Sequence, residues 1–439
     1  MRRPTRRNTV EQIPENELAE RREVAKLTAL LQEKRKAFPT NQGEVLRGVH
    51  PKSHGCVDAK FVVNSRLPRE LRAGLFRQPG KAYKAKIRYS NADVLILPDV
   101  LKDEANPANV NVNRSRGMAL KILNVGQRTL LPDGGKANQD FLMINTPEFA
   151  FANVRDYLRL TRVLMLDEIG ASPDLFFAPL QLAQQGLFDP ATGQLAPAVP
   201  GQPDPIAHLR PAFGPGGPFE GFGAADFQRT LKSFQTVGKI QAMPVRNPLE
   251  VPYFGAAPFR FGRGKVMRLS VMPENAPAQK PFTAEEIAKM DPNYLAKALA
   301  GTVGRGEVRL SVRVQVAKIA DIQDRVPELI EDATNAWDEV EFPQHDVAQI
   351  IIPQQRGDLV DACKGQFFTP WHSLAAHRPL GGINRLRRPV YNRSMAKRSG
   401  IRPGGRTSLK LKPNARLKVN PKLAKSATRP RRTIKKRGS

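Results

Sequence analysis

Short segments rich in apolar residues recur along this chain and predict β-strands at 60–63, 84–90, 117–123 and 140–145. Two later segments, 265–273 and 307–317, alternate strongly between apolar and polar residues, which predicts strands that bury one face. Several of these segments follow one another without a helix between them, which favours an antiparallel sheet or barrel over a doubly wound parallel sheet. We therefore predict an α+β fold in which helices surround an antiparallel β-barrel.

Apolar residues three or four positions apart predict helices at 147–166, 224–236 and 284–300. Near the N-terminus the same spacing is carried by Leu18, Val24, Leu27, Leu30 and Leu31. The segment 189–223 is rich in Pro and Gly, which predicts a long loop. We divide the chain into an N-terminal arm with one amphipathic helix (1–42), a globular domain (43–398) and a C-terminal tail (399–439).

The 439 residues, 40% of them hydrophobic, are enough to bury a large core. The two cysteines, Cys56 and Cys363, provide neither a metal-binding spacing nor a disulfide framework, which is compatible with a reducing compartment. The charged N-terminus does not resemble a secretory signal, and no apolar run reaches the roughly 18 residues that a membrane span needs. We therefore expect a cytoplasmic protein.

About half of the net charge of +29 lies in the tail, where fourteen Lys or Arg residues and no Asp or Glu follow Ser399. The tail has few residues that could form a core, so we predict that it is disordered. Its charge would attract nucleic acid or an anionic membrane. It lacks the interleaved aromatic residues that stack on bases, which counts against direct readout of nucleic acid.

The most informative candidate site is a pair of residues near the end of the globular domain. Arg387 and Tyr391 are four residues apart, so they would share one face of a helix. A fixed cation beside a phenol favours the phenolate, and a phenolate can bind a metal. A tyrosinate is the axial ligand of haem iron in catalases.

A second candidate is the segment RGVHPKSHG, which contains Arg47, His50 and His54 before the first predicted strand. A histidine beside bound peroxide can take a proton from one oxygen and deliver it to the other. Either histidine could do this, and the ordinary alternative is a surface or hydrogen-bonded histidine.

Two strand ends supply further polar side chains. Arg88, in IRYSNAD, could make a bidentate ion pair with a carboxylate. Gly117, after Arg116 in SRGMALKI, permits a tight turn or a close approach to the backbone. Asn145, in DFLMINTP, could donate a hydrogen bond to a bound peroxide or cap the following helix.

Taken in this order, the motifs resemble those of the catalase superfamily of haem proteins. The matching pieces are Arg47 with His50, RYS at Arg88, RGMALK at Arg116, NTP at Asn145, Arg387 with Tyr391, and Arg398 seven residues beyond the tyrosine. The resemblance implies a catalase-like barrel that encloses haem b, with Tyr391 as the iron ligand and Arg387 keeping it ionised. It also implies that His50 is the distal acid–base, that Asn145 orients peroxide, and that Arg47, Arg88 and Arg398 bind the haem carboxylates.

The chain departs from typical catalases after Tyr391, where the usual Asp-Thr pair is replaced by YNRSMAKRS. It is therefore similar to the short, divergent members, the catalase-related peroxidases and allene oxide synthases. The implied activity is decomposition of hydrogen peroxide or organic hydroperoxides through a ferryl intermediate, in a protein that could form homo-oligomers. The alternative is a binding protein on a degenerate catalase fold, with the basic tail as its working part.

Overall fold

The structure is a computed structural model that describes residues 10–34, 45–92, 96–102, 110–111, 115–166 and 173–400. The strands in these residues are β1 (Ser53–Val63), β2 (Ala82–Asn91), β3 (Leu101–Lys102), β4 (Val110–Asn111), β5 (Arg116–Ile122), β6 (Gln139–Ile144), β7 (Phe188–Asp189), β8 (Gln194–Leu195), β9 (Tyr253–Gly255), β10 (Phe259–Arg260), β11 (Lys265–Pro273), β12 (Val308–Lys318) and β13 (His345–Ile352). The helices are α1 (Glu17–Lys34), α2 (Val154–Val163), α3 (Ala178–Gln184), α4 (Arg210–Phe213), α5 (Ala224–Ala242), α6 (Ala284–Lys289), α7 (Tyr294–Arg305) and α8 (Gly381–Ser399).

Eight strands close into an antiparallel barrel in the order β11, β12, β13, β1, β2, β5, β6 and β9. The short β9 closes it, because β9 pairs with β6 on one side and with β11 on the other. Closure limits the exposed strand edges that an open sheet would have. The predicted α+β fold with an antiparallel barrel and surrounding helices is confirmed.

The barrel has an apolar inner face and a partly polar outer face, because successive residues of a strand point to opposite sides. Across β1, β2, β5 and β6 the register aligns Val57, Ile87, Leu120 and Phe141 in one row. All four are buried in the barrel core. The adjacent row is Cys56, Arg88, Ala119 and Leu142. This second row is the part of the outer wall that faces α8.

The structure differs from the predicted elements at some positions. Strand β13 was missed because its apolar residues are mostly consecutive, in VAQIII, so they do not alternate. The predicted helix 284–300 is two helices, since Asp291 and Pro292 interrupt it and proline cannot continue a helix. The helix predicted from 147 begins only at Val154, where the side chain of Asn153 caps it.

Helices α1 and α8 pack against each other outside the barrel, and α1 also contacts α2. The helix predicted in the N-terminal arm is therefore present as α1. The tail beyond Gly400 lies outside the described residues, and so do 1–9 of the arm; the predicted domain boundaries stay predictions. None of the described helices is long and apolar enough to span a bilayer.

The two cysteines form a disulfide, contrary to the expectation from sequence. Cys56 on β1 is bonded to Cys363, and their Cα atoms are 5.6 Å apart. The pair is separated by 307 residues in sequence. Two isolated cysteines carry no pairing signal at such a separation, and only the path of the chain around the barrel brings them together. The bond attaches the outer wall of the barrel to the segment that precedes α8.

Candidate active site

Helix α8 carries Arg387 and Tyr391 on the side that faces the barrel wall. The helix begins at Gly381, which has a φ of +81°, and a Cβ there would come within 2.2 Å of the carbonyl oxygen of Ile330. Tyr391 packs against the disulfide and against a cluster that includes Leu142 and Phe368. The guanidinium of Arg387 lies 5.8 Å from the centre of the Phe149 ring and donates to Oδ1 of Asn384.

His50 lies against β2 and β5, in a backbone conformation with φ of 55° that non-glycine residues rarely adopt. Its Nδ1 is 3.1 Å from Oγ of Ser90. Its ring covers Gly117, where any Cβ would come within 2.4 Å of Nδ1. Burial, followed by the charges of nearby arginines including Arg88 and Arg387, lowers the pKa of His50 to about 3. The imidazole is therefore neutral at physiological pH.

His54, the other candidate, lies in a separate buried network. Its Nε2 is 2.8 Å from Oδ1 of Asn91, and its Nδ1 is 3.7 Å from Oδ1 of Asp99. Lys52 also pairs with Asp99, at 2.7 Å. Burial lowers the pKa of His54 to about 3. The charges of Arg47, Arg88 and Arg387 contribute to the lowered pKa of His50. None of these three arginines is among the main influences on the pKa of His54.

Arg47, Arg88 and Arg398 lie close enough to interact electrostatically, and each binds backbone carbonyl groups. Arg47 donates to the carbonyl oxygens of Cys363 (3.1 Å) and Gln366 (2.8 Å). Arg88 donates to those of His50 (2.9 Å) and Pro51 (3.3 Å), and Arg398 to those of Lys364 (3.1 Å) and Gln366 (3.4 Å). Among the described residues no carboxylate pairs with any of the three.

The pKa values of these arginines reflect the missing counter-charge. Burial, and then the neighbouring Arg398 and Arg88, lowers the pKa of Arg47 well below its usual value. Burial and Arg398 lower the pKa of Arg88 to about 9, and burial lowers that of Arg398 to about 10. Tyr391 acts in the opposite sense on Arg47 and Arg88. One buried cation, Arg88, and two half-buried ones, Arg47 and Arg398, thus lie together without a carboxylate partner among the described residues.

Asn145 ends β6 and is held by the backbone of Arg116. Its Oδ1 accepts a hydrogen bond from the Arg116 N–H (2.7 Å), and its own N–H donates to the Arg116 carbonyl (3.1 Å). The helix-cap alternative is wrong, because the cap of α2 is Asn153. The side-chain NH₂ of Asn145 has no hydrogen-bond partner within the described chain, so it is the group that remains for a ligand.

Aromatic residues that the sequence analysis did not single out complete the site. Tyr157 on α2 stacks on Phe149, with ring centres 6.1 Å apart, and meets Phe151 edge to face. Burial, followed by the effect of Tyr391, raises the pKa of Tyr157 to about 12. The repeated aromatic residues in PEFAFANVRDY were the available signal, but an aromatic run alone does not distinguish a ligand pocket from a core.

Arg47, His50 and Tyr157 are each half-buried. Six of the seven predicted site residues lie close enough to interact electrostatically: Arg47, His50, Arg88, Arg387, Tyr391 and Arg398. The seventh, Asn145, lies at the end of strand β6. No cluster of three or more His, Cys, Asp or Glu side chains suited to a metal occurs in the described segments.

The fold and this site can be compared with known proteins. No protein-family model matches the chain, and no curated protein matches it. Among solved structures, a fungal catalase superposes with a TM-score of 0.53 at 14% identity, over 81% of this chain and 59% of that one. Catalase A from Saccharomyces cerevisiae gives a TM-score of 0.53 at 16% identity, over 80% of this chain and 61% of that one.

These comparisons establish that the chain has a catalase-like fold, as the motif order predicted. The chain spans about three fifths of the length of the catalases it matches. The likeness is one of fold, and the activity has to be argued from the residues of the site.

Proposed function

We propose that this protein is a haem-dependent oxidoreductase that decomposes hydrogen peroxide or organic hydroperoxides. The observation that carries the proposal is a group of three arginines, Arg47, Arg88 and Arg398, that have no carboxylate partner among the described residues. Arg88 is buried and the other two are half-buried, and the group lies beside Tyr391 and His50. Haem b has two carboxylates to neutralise such arginines and an iron that a phenolate can bind. The donor set of this chain therefore fits the group.

In this proposal Tyr391 would hold the iron, and Arg387 lies one helical turn earlier on the same helix. Arg47, Arg88 and Arg398 would hold the haem carboxylates by charge-assisted hydrogen bonds, which would replace part of their present contacts with backbone carbonyl groups. Haem supplies the redox chemistry of O–O cleavage when it is bound.

His50 is proposed to move the proton. In the tautomer whose Nδ1 donates to Ser90, Nε2 carries a free lone pair, and the low pKa keeps the ring neutral. Nε2 can then accept a proton from one peroxide oxygen and return it to the other. Gly117 leaves room for the ring in this orientation. The NH₂ group of Asn145 is available to donate a hydrogen bond to the peroxide.

The proposal extends to the substrate, the assembly, the location and the tail of the protein. Hydrogen peroxide and organic hydroperoxides are the substrates that the site chemistry suits. Homo-oligomer formation and a cytoplasmic location stay predictions. The tail is proposed to contact nucleic acid or an anionic membrane, and its residues beyond Gly400 lie outside the described part of the chain.

The test compares wild type with Tyr391→Phe, each expressed with added haem precursor, by absorption spectroscopy and by oxygen release after addition of hydrogen peroxide. Wild type is expected to give a high-spin ferric spectrum with tyrosinate ligation, and Tyr391→Phe is expected to lose it. Tyr83→Phe, at a half-buried tyrosine beside Lys81, is the matched control and should keep it. Oxygen release would identify a catalase, and its absence with an intact spectrum a peroxidase. Folded wild type that takes up no haem would contradict the proposal.

A further inference from the structure

Arg385 is buried at the start of α8, two residues before Arg387, and it binds three carboxylates. Its Nε donates to Oε1 of Glu17 (2.7 Å). The two terminal nitrogens bind Oε1 of Glu11 (2.5 Å) and both carboxylate oxygens of Glu331 (3.1 and 2.7 Å). Glu17 belongs to α1 and Glu331 ends the short helical segment Pro327–Glu331, so one guanidinium joins α8 to two separate parts of the protein.

Two of these carboxylates also bind the first backbone groups of α8. The N–H of Gly381 donates to Oε1 of Glu11 (3.1 Å), and that of Gly382 donates to Oε2 of Glu331 (2.9 Å). Glu11 and Glu331 therefore each contact both the helix backbone and the Arg385 side chain. A bidentate, charge-assisted arrangement of this kind has little freedom to rotate.

Contacts with α1 also hold the other end of α8. Gln32, buried on α1, donates to the carbonyl oxygen of Ser394, three residues after Tyr391, and to that of Leu46. Oγ of Ser394 in turn accepts a hydrogen bond from the N–H of Gly48 (3.0 Å). Gly48 is two residues before His50. Helix α1 is thus attached to α8 at both ends and to the segment that carries His50.

The orientation of α8 decides where the Tyr391 oxygen lies. A side-chain tip is about 6 Å from the helix axis, so a rotation of about 10° would move it by about 1 Å. Ligand geometry at a functional site has to be held within about 0.5 Å. A helix that carries a metal ligand therefore needs its rotation fixed, and the contacts of Arg385 act directly on that rotation.

We propose that Arg385, through Glu11, Glu17 and Glu331, is a positioning residue that sets the rotation of α8 and so aims Tyr391 and Arg387 at the cofactor. The inference rests on the proposed function for its catalytic consequence. The restraint on α8 is independent of it, because every contact lies within the protein chain.

The experiment compares Arg385→Met, Arg385→Lys and Arg388→Met. Arg388 is an exposed arginine on the same helix, stacked on Trp371, and is the matched control for loss of one positive charge. Hydrogen exchange of the haem-free protein is measured along α8 and along the barrel strands. The ferric spectrum of haem-loaded protein then reports tyrosinate ligation.

In Arg385→Met, exchange along α8 should be at least tenfold faster with the barrel strands unchanged, and the tyrosinate spectrum should shift or disappear. Arg385→Lys should restore part of both, and Arg388→Met should match wild type. A wild-type spectrum in Arg385→Met would overturn the positioning role, even if exchange were faster. If Arg385→Met does not fold, Glu11→Ala removes one carboxylate partner of Arg385 and the same two readouts apply. Wild type that takes up no haem would contradict the proposed function, while the exchange comparison would still decide whether Arg385 restrains α8.

Discussion

The ring of His50 occupies the space that a side chain on Gly117 would need. A Cβ at residue 117 would lie 2.4 Å from Nδ1 and 2.6 Å from Cε1 of His50. The ring also contacts Ser90, which is paired with Gly117 across β2 and β5. The absence of a side chain at one strand position therefore determines where the imidazole lies.

We expect Gly117→Ala to displace His50 while the protein stays folded, because the end of a side chain can move more easily than a barrel strand. Peroxide turnover should fall by at least tenfold, and haem binding should persist because Tyr391 is on another element. Gly238→Ala, on the exposed part of α5 with no atom near a new Cβ, is the control. It should keep full turnover and gain up to about 1 kcal/mol of stability. Unchanged turnover in Gly117→Ala would show that His50 does not act on the substrate.

Removing one of the buried cations should have opposite effects on the haem-free and haem-loaded protein. Arg88→Met should raise the free energy of unfolding of the haem-free protein, because it removes a desolvated cation that has no carboxylate partner among the described residues. The same change should weaken haem binding, since one partner of the haem carboxylates is lost. Urea unfolding without haem and haem titration measure the two effects.

The control for Arg88→Met is Arg309→Met, an exposed arginine on β12. It should change neither quantity by more than about 0.5 kcal/mol. If Arg88→Met destabilised the haem-free protein, the three arginines would be compensated in some other way and the anion site would be wrongly assigned.

The disulfide is expected to stabilise the protein. Replacing both Cys56 and Cys363 by Ala should lower the free energy of unfolding by about 2–5 kcal/mol, because a long loop would no longer be closed in the unfolded chain. Dithiothreitol should lower the melting temperature of wild type towards that of the double variant and leave the variant unchanged. An equal response of both proteins would mean that the cysteines are not paired in solution.

His377 provides a prediction for the pH dependence of stability at a position away from the site. Its Nε2 accepts the N–H of Leu75 at 2.9 Å, and burial lowers its pKa to about 4. Between pH 6.5 and pH 4 the unfolded chain binds a proton at this histidine and the native protein does not. Stability should therefore fall as the pH falls through this window, by up to about 1.4 kcal/mol per pH unit.

In His377→Gln, an amide oxygen can accept the same hydrogen bond without titrating. The slope of unfolding free energy against pH between 6.5 and 4 should be smaller than in wild type, although the variant is less stable at pH 7. Urea unfolding at several pH values measures both slopes. Identical slopes would mean that His377 is protonated in the native protein over this range.

Much of the local structure could be predicted because it depends on neighbours in sequence. The alternation in KVMRLSVMP predicted β11 correctly to the residue, and the spacing of Arg387 and Tyr391 predicted a shared helix. Where prediction failed, another local rule applied: consecutive apolar residues hid β13, and Pro292 divided a helix. The cap of α2 is Asn153 instead of Asn145, although both residues suit that role.

By itself, the sequence determined most of the long strands and helices, the order of the site motifs and the basic composition of the tail, because these follow from residue type and spacing along the chain. The tertiary structure alone decided that β9 closes the barrel, that Cys56 meets Cys363 and that His50 covers Gly117. It also decided that Arg47, Arg88 and Arg398 lie together with no carboxylate partner among the described residues. Each of these depends on which distant segments the barrel brings together and which groups it excludes from water. No short stretch of the sequence encodes these contacts, or the lack of a carboxylate partner for the three arginines among the described residues.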